Sequence, residues 1–212
     1  MVSFRGTEPD DPSDLAADAN LLPEPWSDAS GRPIGKVHRG FAQALLEGNG
    51  QGKLLQDLVG RLGSLRTEPL HMLLTGHSLG AALATLAASH LATGDSAGDL
   101  RLYTFGSPRV GDGAFAQAMK TVDHTRCVNC CDLVTRIPPE RFGYVHTGTL
   151  NYIDGEGKPR GAVSDEEIAG DRFKAVAYYL VRYSYLPGTV WVREMADHSP
   201  INYLSGTADV RR

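Results

Sequence analysis

Short apolar runs alternate with segments of helical periodicity along most of the chain. Five runs have the length and composition of buried strands: 2–4 (VSF), 70–74 (LHMLL), 100–105 (LRLYTF), 126–130 (RCVNC) and 144–153 (YVHTGTLNYI). Four segments carry apolar or small residues at helical spacing: 54–65, 79–92, 113–121 and 173–181. Because strands that alternate with helices form parallel sheets covered on both faces, this order predicts an α/β fold with a mostly parallel central sheet.

Two stretches do not fit this alternation. Residues 8–35 are rich in Pro, Asp and Ala, and residues 154–172 are rich in Gly and charged side chains, so both are predicted to be loops. After the second loop, five positions spaced i, i+3, i+4, i+7 and i+8 predict one apolar helical face: Phe173, Val176, Ala177, Leu180 and Val181. The LPG triplet at 186–188 is predicted to end that helix.

Composition narrows the class of protein. The length of 212 residues and the hydrophobic content of 42% suit a single domain spanning 1–212. The net charge of -4, without any run of Lys or Arg, argues against a nucleic-acid partner. No apolar segment reaches the roughly 18 residues of a membrane-spanning helix. The start, MVSFRGTEPD, lacks a signal peptide, so we expect a cytoplasmic chain or a trimmed secreted form, and composition carries no signal for oligomeric state.

The three cysteines lie together in RCVNCCD. Their odd number and the adjacency of Cys130 and Cys131 argue against a disulfide framework. The pair formed by Cys127 and Cys130 lacks the second pair of ligands that a zinc site needs. These residues are therefore predicted to be buried thiols, with no metal bound.

Ser78 lies in the sequence GHSLG, between a predicted strand and a helix rich in alanine. This order of strand, turn and helix is the setting of a nucleophile elbow, in which the serine hydroxyl projects above the sheet. Small neighbours at Gly76, Gly80 and Ala81 leave room for the helix to pack closely. The alternative is a serine that only caps the helix, a role that needs none of these neighbours. The context favours Ser78 as a nucleophile, with the Leu79 amide placed to donate to an oxyanion.

A serine nucleophile needs a histidine base that is oriented by an acid, in the chain order Ser, Asp or Glu, His. Asp132 follows the strand-like run RCVNC and would lie at the carboxyl edge of the sheet, where ligands gather. Three other aspartates are better interpreted as solvated loop residues: Asp123, Asp154 and Asp165. Asp132 is therefore the candidate acid.

Seven histidines compete for the role of base. His77 is next to the serine and should point away from it. Four others precede the proposed acid in the chain: His38, His71, His90 and His124. His146 lies inside a strand-like run, where a core or rim residue is the simpler interpretation. His198 lies in the loop sequence ADHSPINYL and is favoured, because catalytic groups more often occupy such loops.

The chain resembles the class 3 lipases, the fungal-type triacylglycerol lipases of the α/β-hydrolase fold. Seven motifs follow the family's order and cover most of the chain: SFRGT (3–7), GKVHRGF (35–41), TGHSLGAALA (75–84), TFGSPRVGD (104–112), VNCCDLVTRIPP (128–139), GYVHTG (143–148) and DHSPINYL (197–204). The resemblance implies Ser78 as nucleophile, Asp132 as orienting acid and His198 as base. It also implies an oxyanion hole formed by the hydroxyl and amide of Thr7 and by the amide of Leu79, with no metal or organic cofactor.

The activity implied by the resemblance is serine carboxylic-ester hydrolysis of acylglycerols or similar lipid esters, with transient contact to a lipid interface. Family members usually have a helix and strands before the FRGT strand, so we expect the sheet to be short at one edge. The counterpart of the family's lid, residues 8–26, is acidic and rich in proline, which predicts weak activation by an interface. The alternatives are a phospholipase A1 or galactolipase with the same triad, and a catalytically silent lipid-binding module.

Overall fold

The computed structural model describes residues 1–6, 22–47, 53–64, 71–92, 99–183 and 193–208. Within them, strands β1 to β10 are Val2–Phe4, Pro23–Ser27, Pro33–His38, Met72–His77, Leu100–Phe105, Gly111–Asp112, Asp123–Asn129, Tyr144–Val145, Thr149–Ile153 and Pro159–Arg160. Helices α1 to α7 are Arg39–Leu46, Leu54–Ser64, Leu79–Leu91, Gly113–Ala118, Asp165–Tyr183, Arg193–Ala196 and Pro200–Ala208. Short 3₁₀ helices span Met119–Thr121, Val134–Arg136 and Glu140–Phe142.

The central sheet has six strands in the order β1-β4-β5-β7-β9-β10. The first five are parallel to their neighbours, and β10 pairs antiparallel with β9. A second sheet is antiparallel and has the order β2-β3-β6-β8. The predicted α/β architecture with a mostly parallel central sheet is confirmed. Because β4, β5 and β7 are parallel, the loops that follow them leave the sheet at the same edge.

Helix α3 is buried along almost all of its length, because its side chains are small. Its buried residues are Gly80, Ala81, Ala82, Leu83, Ala84, Thr85, Leu86, Ala87, Ala88, Ser89 and Leu91. Short alanine side chains let the helix approach β4 and β5 closely. The largest hydrophobic cluster of the described residues includes the alanine and leucine residues of α3 from Ala82 to Leu91, together with Leu45, Leu62, Leu102 and Phe115. This packing holds the start of α3 at the carboxyl end of β4.

The loop predicted over residues 8–35 is wrong for its described part, because β2 and the start of β3 lie there. Strand β2 contains Pro23 and Pro25, which are tolerated because it is an edge strand that pairs only with β3 in the described sheet. Trp26 on this strand is buried, and its indole N–H donates to Ser89 Oγ at 2.9 Å. A buried tryptophan therefore ties the hairpin to α3, a contact that local composition did not indicate.

The loop predicted over residues 154–172 is also wrong over much of its length. Strand β10 pairs with β9, and α5 begins at Asp165 rather than near Phe173. Ser164 and Glu167 form a capping box: the Ser164 amide donates to Glu167 Oε2 at 2.8 Å, and the Glu167 amide donates to Ser164 Oγ at 3.2 Å. The S-x-x-E spacing is a local signal for this helix start, and it outweighs the charged composition.

Helix α5 confirms the predicted helix, but its predicted apolar face is largely exposed among the described residues. Phe173, Leu180 and Val181 are 76%, 60% and 72% exposed. The helix contacts the core mainly through Ile168 and Ala175, which lie two turns apart, and Val176 is the residue of the predicted face that packs against the same cluster. No helix in the described part of the chain has both the length and the apolar character needed to cross a membrane.

The other predicted elements differ by a few residues. The helix predicted at 113–121 is α4 followed by a 3₁₀ turn, and the strand predicted at 70–74 begins at Met72 and ends at His77. The run 144–153 is divided into β8 and β9, because Gly148 adopts a left-handed φ of 78° between them.

Candidate active site

Ser78 occupies a strained turn between β4 and α3. Its φ of 57° and ψ of -126° make it the one non-glycine residue with positive φ in the described ranges. Such a backbone conformation is costly for an L-residue and persists only where its surroundings enforce it. Ser78 precedes the first turn of α3, yet its side chain makes no capping hydrogen bond. The helix-cap alternative is therefore wrong, and the hydroxyl is directed elsewhere.

Small residues around Ser78 are required by close backbone contacts. A β-carbon on Gly76 would collide with the backbone of Gly80, and one on Gly80 would collide with the carbonyl group of Phe4. Strands β1 and β4 and the start of α3 therefore meet without any intervening side chain. This explains the glycines on either side of the serine in GHSLG.

Ser78, His198 and Asp132 form one hydrogen-bonded chain, although 120 and 66 residues separate the partners of its two links. The Ser78 Oγ lies 2.9 Å from Nε2 of His198. Nδ1 of His198 lies 3.0 Å from both carboxylate oxygens of Asp132. A neutral imidazole protonated at Nδ1 satisfies both contacts, donating to the carboxylate and accepting from the hydroxyl. All three residues are buried.

The carboxylate of Asp132 is held by more than the histidine. The residue follows β7, and its Oδ1 accepts from the Val134 amide at 2.8 Å. Its Oδ2 accepts from the hydroxyl of Tyr203 at 2.5 Å, and the same hydroxyl accepts from the backbone N–H of Asn129 at 3.0 Å. The side chain is fully buried, so these donors replace the water that would otherwise solvate it.

Two supporting residues were not identified from the sequence. Tyr203 lies on α7 and contacts Asp132, as described above. Asp197, just before His198, accepts from the Cys131 amide at 3.1 Å, while its backbone carbonyl accepts from the Asn129 side chain at 3.0 Å. These contacts join the loop that carries Asp132 to the loop that carries His198. Both residues lie within the motif DHSPINYL, but no local spacing indicated their partners.

His77 lies beside the site in a supporting position. Its Nε2–H donates to the backbone carbonyl of His198 at 2.7 Å, and the two rings lie 4.6 Å apart between centroids. Burial, and then repulsion by any charge on His198, lowers the pKa of His77 to about 4. A neutral His77 therefore holds the His198 backbone near neutral pH. The prediction that His77 points away from Ser78 gave no indication of this contact.

Gly106, after β5, packs directly against the carboxylate and imidazole. Its φ of 58° is left-handed. A β-carbon there would lie 2.9 Å from Oδ2 of Asp132 and 3.1 Å from Nδ1 of His198. Both the conformation and the missing side chain are therefore needed at this position.

Of the two predicted oxyanion donors, the structure describes Leu79 and not Thr7. Leu79 is the first residue of α3, where backbone N–H groups have no partner within the helix. Thr7 lies outside the described residues. The preceding Gly6 is close to the turn, because a β-carbon on it would lie 2.9 Å from the His77 carbonyl oxygen and 3.7 Å from Cβ of Ser78.

The competing candidates lie away from this hydrogen-bonded chain. His146 Nε2 donates to the Thr135 carbonyl at 2.7 Å, and burial, together with the nearby Arg126 charge, keeps its pKa well below the ordinary value. Asp123 begins β7, at the opposite end of the strand from Asp132. Asp154 accepts hydrogen bonds from amides of the turn before β10, and Asp165 is exposed at the start of α5.

The three cysteines are buried and free, as predicted. Cys130, Cys131 and Asp197 form the one group of potential metal ligands found in the described ranges. The Asp197 carboxylate already accepts from Arg193 Nε at 2.8 Å and from the Cys131 amide. A guanidinium in this position opposes a bound cation, so the group does not support a metal site.

Comparison with known proteins identifies the family. Residues 1–142 match the family Lipase (class 3). The lipase of Rhizomucor miehei is 38% identical over 144 residues, which cover 65% of this chain and 37% of that protein. Triacylglycerol lipase OBL1 of Arabidopsis thaliana is 32% identical over an alignment of 249 positions, which covers 97% of this chain and 46% of that protein. The chain thus spans less than half the length of these two curated relatives.

Solved structures lead to the same group. One is a triacylglycerol lipase whose catalytic centre is formed by a serine protease triad. It superposes with a TM-score of 0.54 at 34% identity, covering 66% of this chain and 52% of that chain. The family match spans well over half of the chain, and the mostly parallel sheet agrees with the fold of these structures. The chain belongs to the class 3 lipase family and has the α/β-hydrolase fold.

Proposed function

We propose that this protein is a serine carboxylic-ester hydrolase that cleaves acylglycerols or similar lipid esters. The observation that carries the proposal is the alignment of Ser78 Oγ, the His198 imidazole and the Asp132 carboxylate through contacts of 2.9 and 3.0 Å. In the proposed roles, Ser78 is the nucleophile, His198 the general base and Asp132 the acid that orients the base.

The proposed reaction has two halves. The Ser78 Oγ attacks the acyl carbonyl carbon while Nε2 of His198 removes the hydroxyl proton, and the imidazolium then protonates the departing alcohol. Water attacks the resulting acyl-enzyme, gives its proton to His198, and releases the fatty acid as the Ser78 hydroxyl regains its proton. The buried Asp132 carboxylate stabilises the imidazolium in both halves.

The negative charge that develops on the carbonyl oxygen needs donors. We assign one donor to the Leu79 amide, which starts α3 and lies at the positive end of the helix dipole. We assign the second to Thr7, through its amide and hydroxyl. The closeness of Gly6 to the Ser78 turn supports this assignment, because Thr7 is the next residue in the chain.

Relatives support the substrate class. The Rhizomucor miehei and Arabidopsis thaliana proteins are named as a lipase and a triacylglycerol lipase. The chain covers 37% and 46% of those proteins, so their activity enters here as part of the proposal. We also propose that residues 1–212 form one domain, because Tyr203 of α7 packs against Cys127 of β7 in the central sheet.

The test compares two buried serines: Ser78, which directly precedes α3, and Ser89, which lies within α3. Ser78→Ala should lower turnover of p-nitrophenyl esters by about 10⁴-fold to 10⁶-fold without loss of fold, because it removes the attacking atom. Ser89→Ala is the matched control, since Ser89 Oγ contacts Trp26 and the Leu86 carbonyl instead of a histidine. A fluorophosphonate should label Ser78 in the unaltered protein. Retained turnover in pure Ser78→Ala protein, or an unreactive wild type, would contradict the proposal and favour a silent lipid-binding module.

A further inference from the structure

We propose that Cys130 and Cys131 form an oxidation-sensitive modification site, which peroxides convert into a disulfide between adjacent residues. Closure of this bond lowers ester hydrolysis by displacing Asp132. The effect on activity rests on the proposed function, whereas the oxidation itself does not.

The two thiols are paired in space as well as in sequence. Their Sγ atoms lie 3.3 Å apart, and both residues are buried. They lie in the turn after β7, beneath α5, where the Arg172 carbonyl is 3.9 Å from Sγ of Cys131. The third cysteine, Cys127, faces a different cluster with Ile153 and Tyr203. Each thiol of the adjacent pair therefore has the other as its nearest sulfur partner.

The environment makes the two sulfurs unequal. The two thiols share a hydrogen bond in which either sulfur can donate. With Cys130 as the donor, this bond lowers the pKa of Cys131 and raises that of Cys130. Burial and the Asp197 carboxylate oppose the thiolate of Cys131, and the Arg193 guanidinium favours it, so that the hydrogen bond from Cys130 decides the direction of the pKa change. Because the thiolate is the reactive form, Cys131 is the sulfur that an oxidant meets first.

The chemistry balances with one equivalent of hydrogen peroxide. The Cys131 sulfur attacks one peroxide oxygen, the O–O bond breaks, and protonation of the leaving hydroxide gives water and a sulfenic acid. The Cys130 sulfur then attacks the sulfenic sulfur, the S–S bond forms, the S–O bond breaks, and a second water leaves with the Cys130 proton. Both sulfurs are oxidised by one electron, and both peroxide oxygens are reduced.

A disulfide at this place must disturb the surrounding backbone. Adjacent Cα atoms are about 3.8 Å apart, whereas ordinary disulfides join Cα atoms about 4.4 to 6.8 Å apart. Ring closure therefore requires rotation of the backbone between Cys130 and Cys131. The Cys131 amide is bound to Asp197, and Cys131 is followed directly by Asp132. The rotation thus acts on both loops that hold the Ser78, His198 and Asp132 chain.

The size of the effect follows from the sensitivity of catalysis to position. A misplacement of about 1 Å in a catalytic group can lower turnover by about 10²-fold. We expect oxidation to lower kcat by about tenfold or more, with KM changed less, because Asp132 orients the base and does not bind the ester.

The experiment treats the native, full-length protein with hydrogen peroxide, removes the peroxide, and measures intact mass and ester turnover. The expected result is a loss of two hydrogen atoms, mapped to the peptide containing Cys130 and Cys131, together with lower turnover that dithiothreitol restores. Cys130→Ser and Cys131→Ser should each lose the dithiothreitol-reversible inactivation, measured against its own untreated activity. Cys127→Ser is the matched control, because it removes a buried thiol close to the pair but leaves the pair intact. This variant should retain the dithiothreitol-reversible inactivation.

Each contrary outcome would overturn one defined part of the proposal or the proposed function. Unchanged mass of the native protein, with oxidation only after denaturation, would show that the buried pair is inert. The disulfide without loss of turnover would refute the link to Asp132. Equal inactivation of Cys131→Ser would move the lesion to another residue. Absence of ester hydrolysis before any treatment would contradict the proposed function alone, because the mass measurement still reports the disulfide.

Discussion

The hydroxyl of Tyr203 lies 2.5 Å from Oδ2 of Asp132 and joins helix α7 to the loop after β7. The same hydroxyl accepts a hydrogen bond from the backbone N–H of Asn129 at 3.0 Å. One side chain of the last described helix therefore contacts both the end of strand β7 and the carboxylate. Burial and the Asp132 charge raise the pKa of Tyr203 well above its ordinary value, which keeps the hydroxyl protonated as a donor. Tyr203 therefore acts as a positioning residue for the carboxylate.

Tyr203→Phe keeps the ring and removes this donor. Hydrogen bonds to charged groups contribute about 1.5 to 3 kcal/mol, so we expect kcat to fall by about tenfold or more while KM stays nearly constant. Steady-state kinetics on a soluble ester, with thermal unfolding of the same sample, would separate positioning from stability.

The matched control is Tyr152→Phe. Tyr152 is equally buried, and its hydroxyl donates to Asp171 at 2.8 Å, on the α5 side of the sheet. It should lose stability while kcat is retained. Equal kcat losses in the two variants would show that removing any buried tyrosine hydroxyl is enough, and the positioning role of Tyr203 would be abandoned.

Two histidines can be separated by single substitutions. His198→Ala should lower turnover about as much as Ser78→Ala, because Nε2 is the proposed proton acceptor. His146→Ala should act mainly on stability, by roughly 1 to 3 kcal/mol, because its Nε2 holds the Thr135 carbonyl. If His146→Ala kept its melting temperature and lost turnover, the proposed assignment of the base would be reversed.

Gly106→Ala tests the close packing around the carboxylate and imidazole. The new β-carbon would meet Asp132 and His198, so we expect kcat to fall by about 10²-fold. Gly143→Ala is a matched control, because Gly143 is also left-handed, at φ 84°, and has open space around it. Both variants should lose about 1 to 2 kcal/mol of stability from the backbone, but Gly143→Ala should keep its activity. A fully active Gly106→Ala enzyme would mean that the site tolerates the displacement.

Stability should fall in acid through buried histidines. Burial lowers the pKa of His124 from 6.5 to about 3, and Thr104 and Thr147 occupy its two ring nitrogens. Below pH 6.5 the unfolded chain binds a proton at this residue while the folded chain does not. The free energy of unfolding therefore decreases as pH falls from 6.5 towards 3, by up to about 1.4 kcal/mol per pH unit from His124.

Urea unfolding at a series of pH values would measure this slope. His124→Gln should make it less steep by the His124 contribution, because the substituted side chain does not titrate, while His77 and His146 keep their contributions. His71→Gln, at a side chain that is 83% exposed, is the control and should leave the slope as in the unaltered protein. An unchanged slope in His124→Gln would show that other groups cause the acid sensitivity.

The physical state of the substrate gives a further prediction. Residues 8–26 are rich in aspartate and proline, a composition that gives a poor apolar face for contact with lipid. We therefore expect short-chain soluble esters to be better substrates than emulsified long-chain triglycerides. Activity measured across the solubility limit of one ester would show little increase, and a steep rise on emulsion formation would contradict the prediction.

Much of the fold and of the candidate site could be predicted from the sequence because the signals are local. The strand before Ser78 and the alanine-rich α3 after it reflect side-chain size and period, which act over a few neighbouring residues. Chain order indicates both Asp132 and His198, and Asp132 also follows a predicted strand. The start of α5 also has a local signal, because the Ser164 and Glu167 capping box has a fixed spacing, although the Gly-rich and charged composition around it is typical of a loop.

Local sequence patterns were enough to predict the class of fold, the turn at Ser78 and the candidate residues Ser78, Asp132 and His198. Three features required the folded structure: the side chains of these residues meet, Trp26 anchors a segment predicted as a loop, and Tyr203 and His77 support the two loops. All these contacts join residues that are far apart in the chain. A hydrogen bond between distant segments leaves no periodic pattern in the sequence, because the packing of the whole sheet and its helices sets its geometry.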